Sequence, residues 1–175
     1  SVLIFMLFGT VLTLVLQSSS ATMALTLIMM SMGWIPFHMG AAMVLGENIG
    51  TTITANIAAA VANTNARRAA LAHTLFNVFG VIWALVLFKP FTMLIGNIIA
   101  AMGYPNPAEM SYSGTIAPTS LESTAALYGL SMFHTLFNTF NTCILIWFIP
   151  QLEKIVTSVI KGKQNPEDEA FRLKF

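Results

Sequence analysis

The sequence has little charge and almost no cysteine. Charged residues make up 9% of its 175 residues, whereas a soluble domain usually carries about 25%. So few charges cannot cover a surface that faces water, which argues against a soluble monomer. The single cysteine, Cys143, excludes a disulfide scaffold and a cysteine-rich metal site. A net charge of +1 leaves no basic stripe, so no nucleic-acid partner is expected.

Apolar residues dominate the chain and its charges cluster at one end. Hydrophobic residues make up 56% of the sequence, and the mean hydropathy is +0.75. No charged residue occurs in residues 1–46, and nine of the fifteen fall in residues 153–175. We therefore expect an all-α membrane protein, with a membrane domain over residues 1–152 and a charged tail in water over residues 153–175.

The first apolar segment, Val2 to Gly33, has a polar centre. One membrane span needs about 20 apolar residues, so this segment is longer than one span and too short for two. Four consecutive polar residues, Gln17 to Ser20, lie near its middle. One long tilted helix would place all four at mid-membrane. We therefore favour two half-length helices that meet at the polar residues, which is a re-entrant hairpin.

The second apolar segment runs from Pro36 to about Ala62. Its middle contains Gly46, Glu47 and Gly50. A glycine weakens a helix by about 1 kcal/mol relative to alanine, and polar, glycine-interrupted segments are typical of transporter binding sites. This pattern predicts a transmembrane helix that is broken between residues 46 and 52.

The remaining chain predicts full spans, a short segment and a loop. Basic residues favour the cytoplasmic side of a membrane, and five of them place residues 67–68 and the tail on that side: Arg67, Arg68, Lys154, Lys161 and Lys163. Pro150 is expected to end the last span. The segments are a span at Ala69–Phe88, a short segment at Phe91–Met102, a loop at Gly103–Leu121 and a span at Ser123–Ile149.

Polar residues at helix breaks can hold ions. Freed N–H groups and the positive end of a half-helix attract an anion, and oxygen ligands suit a hard cation such as sodium. Glu47 should be protonated, paired or bound to a cation, because an ionised carboxylate in a bilayer costs at least about 2.5 kcal/mol. Hydrogen bonding between helices is the alternative role for the serines and threonines. No Gly-x-Ser-x-Gly motif surrounds the serines, so an enzyme is not expected.

Three sequence motifs resemble the type II sodium–phosphate cotransporter family. The first is Gln17-Ser18-Ser19-Ser20-Ala21-Thr22, and the second runs from Gly46 to Thr54 as GENIGTTIT. The third is Arg68-Ala69-Ala70-Leu71-Ala72-His73, followed by Phe76-Asn77, which is similar to bacterial members. Glu47 stands where alanine is common in the family motif. The resemblance implies two inverted repeats whose serine hairpins meet around phosphate and sodium.

This chain has one of the two motif sets and resembles the second repeat. It would then be one half of an inverted-repeat transporter, and its partner would be the first repeat of the same protein or a second, antiparallel copy. We interpret the chain as a fragment. In bacterial members the tail leads toward a PhoU-like cytoplasmic domain.

The motifs and the resemblance together suggest two sets of ligands. No cofactor is expected beyond sodium as the coupling ion. The candidate phosphate ligands are Gln17, Ser18, Ser19, Ser20, Thr22, Asn48, Thr51 and Thr52. The candidate sodium ligands are Gln17, Ser19, Ser20, Glu47, Asn48 and Thr51.

The predicted function is sodium-coupled secondary transport of inorganic phosphate. Phosphate is an anion near neutral pH and the segments contain no basic residue at predicted mid-depth, so co-bound sodium would balance its charge. The alternatives are transport of another small anion on the same scaffold, or a non-transporting membrane subunit that senses phosphate. The expected location is the lipid of a bacterial inner membrane, with the C-terminal tail in the cytoplasm.

Overall fold

A computed structural model describes residues 1–110 and 118–162. These residues form helices and contain no strand, which confirms the expected all-α class. Two helical stretches, Thr64–Val86 and Ser120–Val159, are long and apolar enough to cross a membrane. The elements are α1 (Val2–Leu16), α2 (Ser19–Ser31), α3 (Phe37–Ala59), α4 (Thr64–Val86), α5 (Phe88–Ala101), α6 (Ser120–Leu145), a short 3₁₀ turn (Ile146–Phe148) and α7 (Ile149–Val159).

The first apolar segment forms two helices that meet at the polar residues, as predicted. Gln17 ends α1 in the left-handed conformation, with φ of 52°. Ser18 is extended, and its side chain accepts a hydrogen bond from the N–H of Ala21 at 3.2 Å. On either side of this turn, Thr13 donates to the hydroxyl of Thr22 at 3.1 Å. The two helices therefore lie side by side as a hairpin.

The predicted break in the second segment is wrong, because α3 is a continuous helix from Phe37 to Ala59. Its glycines face another helix instead of opening the backbone. A Cβ atom at Gly46 would overlap the carbonyl oxygen of Met6 and lie 2.8 Å from the amide nitrogen of Thr10. At Gly50 a Cβ atom would lie 2.7 Å from the Cβ of Thr13. Gly46 and Gly50 thus form a Gly-x-x-x-Gly packing face of the kind that lets membrane helices approach closely.

Helix α1 contributes a glycine to the same contact. A Cβ atom at Gly9 would overlap the backbone carbonyl of Met43. Because residues later in α1 meet residues later in α3, the two helices run parallel. Helix α2 returns along α3 in the opposite direction, with Thr26 against Glu47 and Met30 against Gly40.

An aromatic core lies where α4, α5 and α6 meet. Phe91 of α5 lies with its ring centre 5.2 Å from that of Phe133 in α6. Trp83 of α4 packs on Phe137 with ring centres 5.6 Å apart, and its indole N–H donates to the side chain of Asn141 at 3.2 Å. Helix α6, which contributes Phe133 and Phe137, also packs against α3.

The ends of the later helices differ from the sequence prediction. Helix α4 begins five residues before Ala69, so Arg67 and Arg68 lie in its first turns. Pro150 does not end the last span: it lies in the first turn of α7, where a missing N–H leaves no helical hydrogen bond unmade. The predicted boundary at residue 152 therefore falls inside a helix. The middle of the predicted loop, residues 111–117, and the tail from residue 163 lie outside the described residues.

The contact between α1 and α3 predicts a difference between two glycine substitutions in one helix. Gly46→Ala should destabilise the protein by about 1–3 kcal/mol, because the new methyl group meets the backbone of α1. Gly40→Ala should cost less, because its methyl group meets the flexible end of the Met30 side chain. Both variants gain the same helix propensity. The difference between their free energies of unfolding therefore measures the cost of the overlap between the new methyl group at residue 46 and the backbone of α1. The free energy of unfolding in detergent micelles measures it, and equal values would contradict the close approach.

Candidate functional site

The tip of the hairpin carries the polar residues that the sequence analysis singled out. Ser18 caps α2, and its hydroxyl also lies 3.1 Å from the hydroxyl of Ser20. The first N–H groups of a helix have no partner within it. Ser18 satisfies Ala21 with its side chain and Thr22 with its carbonyl. Within the described part of the chain, the N–H groups of Ser19 and Ser20 have no acceptor, and they lie at the positive end of the helix.

The tip is accessible and carries no charged side chain. Gln17 and Ser20 are exposed, whereas Ser18 and Ser19 are half-buried. Among the described residues, no hydrogen bond is formed by the side chain of Gln17 or by that of Ser19. Hydroxyl and amide donors beside free N–H groups at a helix N-terminus can bind an oxyanion. The local geometry therefore suits the anion role that the sequence predicted for Gln17 to Ser20.

Thr22 lies beneath the tip and not on its surface. Its side chain is fully buried, accepts a hydrogen bond from Thr13 and donates one to the carbonyl of Ser18 at 3.1 Å. These bonds hold the start of α2 against the end of α1. Thr22 is therefore placed to position the tip, and a ligand would need to enter the helix interface to reach its hydroxyl.

The polar residues of α3 bond to their own helix. Asn48 donates to the carbonyl of Val44 at 2.9 Å, and Thr51 donates to the carbonyl of Glu47 at 2.8 Å. Thr52 is buried and donates to the carbonyl of Ile49. Since α3 is intact, its backbone carbonyls are not released for a cation, in contrast to the sequence expectation.

The tip and the polar part of α3 are neighbours without a direct bond in the described structure. Thr13 lies against Gly50, so the tip that follows it lies beside the C-terminal half of α3. No hydrogen bond in residues 1–110 and 118–162 joins the side chains of residues 17–20 to Asn48, Thr51 or Thr52. The hairpin tip and the polar residues of α3, which the sequence predicted to form one site, are therefore neighbours that no described hydrogen bond joins.

A buried polar cluster lies between α1, α2 and α3. The sequence analysis identified only two of its members, Thr22 and Glu47. Glu47 is 3% exposed and accepts a hydrogen bond from Thr26 at 3.1 Å. We call Thr10, Thr13, Thr22, Thr26 and Glu47 the threonine–glutamate cluster. Sequence reasoning missed the other threonines, although their spacing of three or four residues along each helix is the signal that places them on one face.

A groove of about 460 Å³ lies between α3 and α4. Asn56 donates to the hydroxyl of Thr74 at 2.6 Å and to the carbonyl of Thr52 at 2.7 Å inside it. Apolar residues Ile53, Ile57 and Leu71 line the rest. Because the asparagine is satisfied within the protein, the groove offers mostly apolar contact.

Comparison with known proteins finds one family model and several relatives that match this chain. The family model described as "Na+/Pi-cotransporter" matches residues 2–104, which contain the hairpin, α3, α4 and α5. "Uncharacterized protein YqeW" of Bacillus subtilis (strain 168) is 39% identical over 104 residues, covering 59% of this chain and 32% of that protein. No solved structure matches the chain.

More distant relatives extend the match toward the C-terminus. "Putative inorganic phosphate export protein YjbB" of Escherichia coli (strain K12) is 23% identical over 157 residues. The protein of the same name in Shigella flexneri matches equally. This match covers 90% of the chain, and the chain spans only about a quarter to a third of the length of these curated relatives. The family match covers more than half of the described helices, and the chain belongs to the Na⁺/Pi-cotransporter family.

Proposed function

We propose that the protein containing this chain moves inorganic phosphate across a membrane in a sodium-coupled manner. The observation that carries the proposal is the hairpin tip, where the hydroxyls of Ser19 and Ser20 lie beside free N–H groups at the start of α2. Helix N-termini bind phosphate through such groups. The family supports phosphate as the anion.

Charge balance supports sodium as the second ion. Neither α1 nor α2 contains a charged residue, so the tip supplies neutral donors only. A phosphate anion that left water for such a site would need a cation to compensate its charge.

We assign sodium to side-chain oxygens at and beside the tip, those of Gln17, Ser19, Ser20, Asn48 and Thr51. Phosphate would be bound by residues 17–20, supported from below by Thr22 and flanked by Thr52. Glu47 is considered separately below, because its carboxyl group is enclosed.

The site needs a second half from outside this chain. Family relatives are about three to four times as long as the matched part of this chain. We propose that another repeat of the same protein, or a second copy, presents a matching hairpin to the tip. This chain would then supply one of two repeats.

The basic residues support a cytoplasmic position for the tail. Arg68, in the first turns of α4, donates from Nε to the carbonyl of Ile160 just after α7, at 3.0 Å. Arg67 and Lys161 lie at the same end of the molecule, and basic residues favour the cytoplasmic side. We propose a bacterial inner-membrane location with the tail leading to a cytoplasmic, PhoU-like domain.

The proposal predicts that Ser19→Ala in the full-length protein lowers phosphate flux without unfolding the hairpin. A hydrogen bond to a charged group contributes about 1.5–3 kcal/mol, so flux at subsaturating phosphate should fall by about tenfold or more. Stability should stay unchanged, because the Ser19 side chain bonds to no described residue. Flux of labelled phosphate into proteoliposomes measures the first effect and thermal unfolding the second. Ser131→Ala, at an exposed serine of α6, is the matched control. Unchanged flux in Ser19→Ala would contradict the assignment.

Ser18→Ala should behave differently from Ser19→Ala. Removal of the hydroxyl that caps α2 should cost about 1 kcal/mol of stability, and flux should fall because the tip loses its shape. The pair of variants separates a residue that shapes the tip from one that binds phosphate. A Ser18→Ala protein as stable as the parent would show that the cap contributes nothing.

Sodium coupling predicts that an imposed sodium gradient drives phosphate against its own gradient. In proteoliposomes, replacing sodium with choline at equal ionic strength should reduce phosphate accumulation to the level of empty vesicles. Accumulation that ignores the sodium gradient would overturn the coupling. Equal competition by sulfate or succinate would indicate a different anion, and phosphate binding without flux would indicate a sensing subunit.

A further inference from the structure

The carboxyl group of Glu47 is enclosed and lacks a described cationic partner. Only 3% of the residue is exposed, and Thr26 is its one hydrogen-bond donor among the described side chains. The helices packed against α3 are α1, α2, α4 and α6. The first two carry no charged side chain. The titratable groups of the other two are Arg67, Arg68, His73, Glu122, Tyr128, His134 and Cys143, and none of them bonds to Glu47.

Each threonine hydroxyl of the cluster has an acceptor other than Glu47 within hydrogen-bond distance. Thr26 reaches the carbonyl of Thr22 at 2.9 Å and the Oε1 of Glu47 at 3.1 Å, although a hydroxyl has a single proton to share. Thr22 donates to the carbonyl of Ser18, and Thr13 donates to Thr22. When Thr26 donates to the carbonyl of Thr22, its lone pairs face the carboxylate of Glu47.

Thr10 closes the cluster from the side of α1. Its hydroxyl lies 3.0 Å from the carbonyl of Gly46, the residue before Glu47, and at the same distance from that of Met6. The threonine hydroxyls of the cluster thus all have carbonyl or hydroxyl acceptors for their protons. When the proton of Thr26 goes to the carbonyl of Thr22, the hydroxyl oxygen of Thr26 and the carboxylate of Glu47 are two oxygens with negative partial charge 3.1 Å apart.

We propose that the threonine–glutamate cluster is a buried binding site for a sodium ion, separate from the ions held at the hairpin tip. The Oγ1 of Thr26 and the Oε1 of Glu47 lie 3.1 Å apart, close enough for both to contact one ion at about 2.4 Å. A hard monovalent cation prefers hydroxyl, carbonyl and carboxylate oxygens. Bound there, it neutralises Glu47 and turns the close approach of two acceptors into an attraction.

This site would act on phosphate through α2. Thr22 belongs to the cluster and donates to the carbonyl of Ser18, and Ser18 caps α2 and contacts Ser20 at the tip. A cation that draws Thr26 and Glu47 together fixes α2 against α3 and thereby orders the tip. The inference rests on the proposed sodium-coupled transport, for which it names a second sodium site.

Sodium-dependent thermal unfolding of the purified full-length protein, without phosphate, tests the site. Sodium chloride should raise the unfolding temperature in a saturable way, and choline chloride at equal ionic strength should not. Glu47→Gln and Thr26→Val should each weaken the apparent sodium affinity by about tenfold or more. Glu109→Gln, the same change at an exposed carboxylate, and Thr135→Val, at an exposed threonine of α6, should titrate like the parent.

The outcomes separate this site from the tip. Ser19→Ala should lose phosphate flux and keep the sodium response that depends on Glu47. The inference would be overturned if Glu47→Gln and Thr26→Val both kept the sodium affinity of the parent. It would also be overturned if acid stabilised the parent and sodium did not. If Glu47→Gln does not fold, Thr26→Val alone decides, since it removes one hydroxyl at nearly constant volume. Loss of sodium-driven flux in the parent with the sodium response intact would overturn the proposed function and leave this site standing.

Discussion

Backbone contact between α1 and α3 is the constraint on which the hairpin depends. Glycines at positions 9, 46 and 50 allow the two helices to approach until carbonyl groups meet Cα atoms. Two helices in a lipid environment gain little from hydrophobic association, so close van der Waals packing is the main attraction between them. That packing also orders α2, because α2 is tethered to α1 by the short turn at Gln17 and Ser18. The phosphate-binding surface proposed at the tip is thus held by a contact that lies one to three turns away.

The same close approach explains why the interior of the hairpin is polar. Helices this near to each other leave room for small side chains, and threonine is small while bringing a hydroxyl group. Each of the four threonine hydroxyls donates a hydrogen bond to an acceptor in the interface or nearby in its own hairpin. The four residues are Thr10, Thr13, Thr22 and Thr26. Buried polar groups are costly unless bonded, so these bonds make a polar interior stable. They also place an oxygen-bearing side chain, that of Thr26, beside the enclosed carboxylate of Glu47.

The sequence predicted one helix interruption correctly and another wrongly, and the residues show why. At Gln17 to Ser20 four polar side chains stand together without an apolar residue, and an N-cap serine favours the start of a new helix. At Gly46 and Gly50 the polar residues alternate with apolar ones at helical spacing. Glycine serves equally for a break and for close packing, and only the position of α1 distinguishes the two. Pro150 was ambiguous in the same way, since proline both ends helices and begins them.

The candidate residues were predictable by type and not by grouping. Their polarity within apolar segments identified Gln17, Ser19, Asn48 and Glu47, whereas the partner of Glu47 lies 21 residues earlier on another helix. Such pairing depends on the direction in which α2 packs on α3, which no local pattern determines. The intact α3 also alters the chemistry: a broken helix would offer carbonyls to a cation, whereas a continuous one keeps them in its own hydrogen bonds. Any cation held beside α3 must therefore be bound mainly by side chains, and Glu47 is the only one among the described residues of α1, α2 and α3 that carries a full negative charge when ionised.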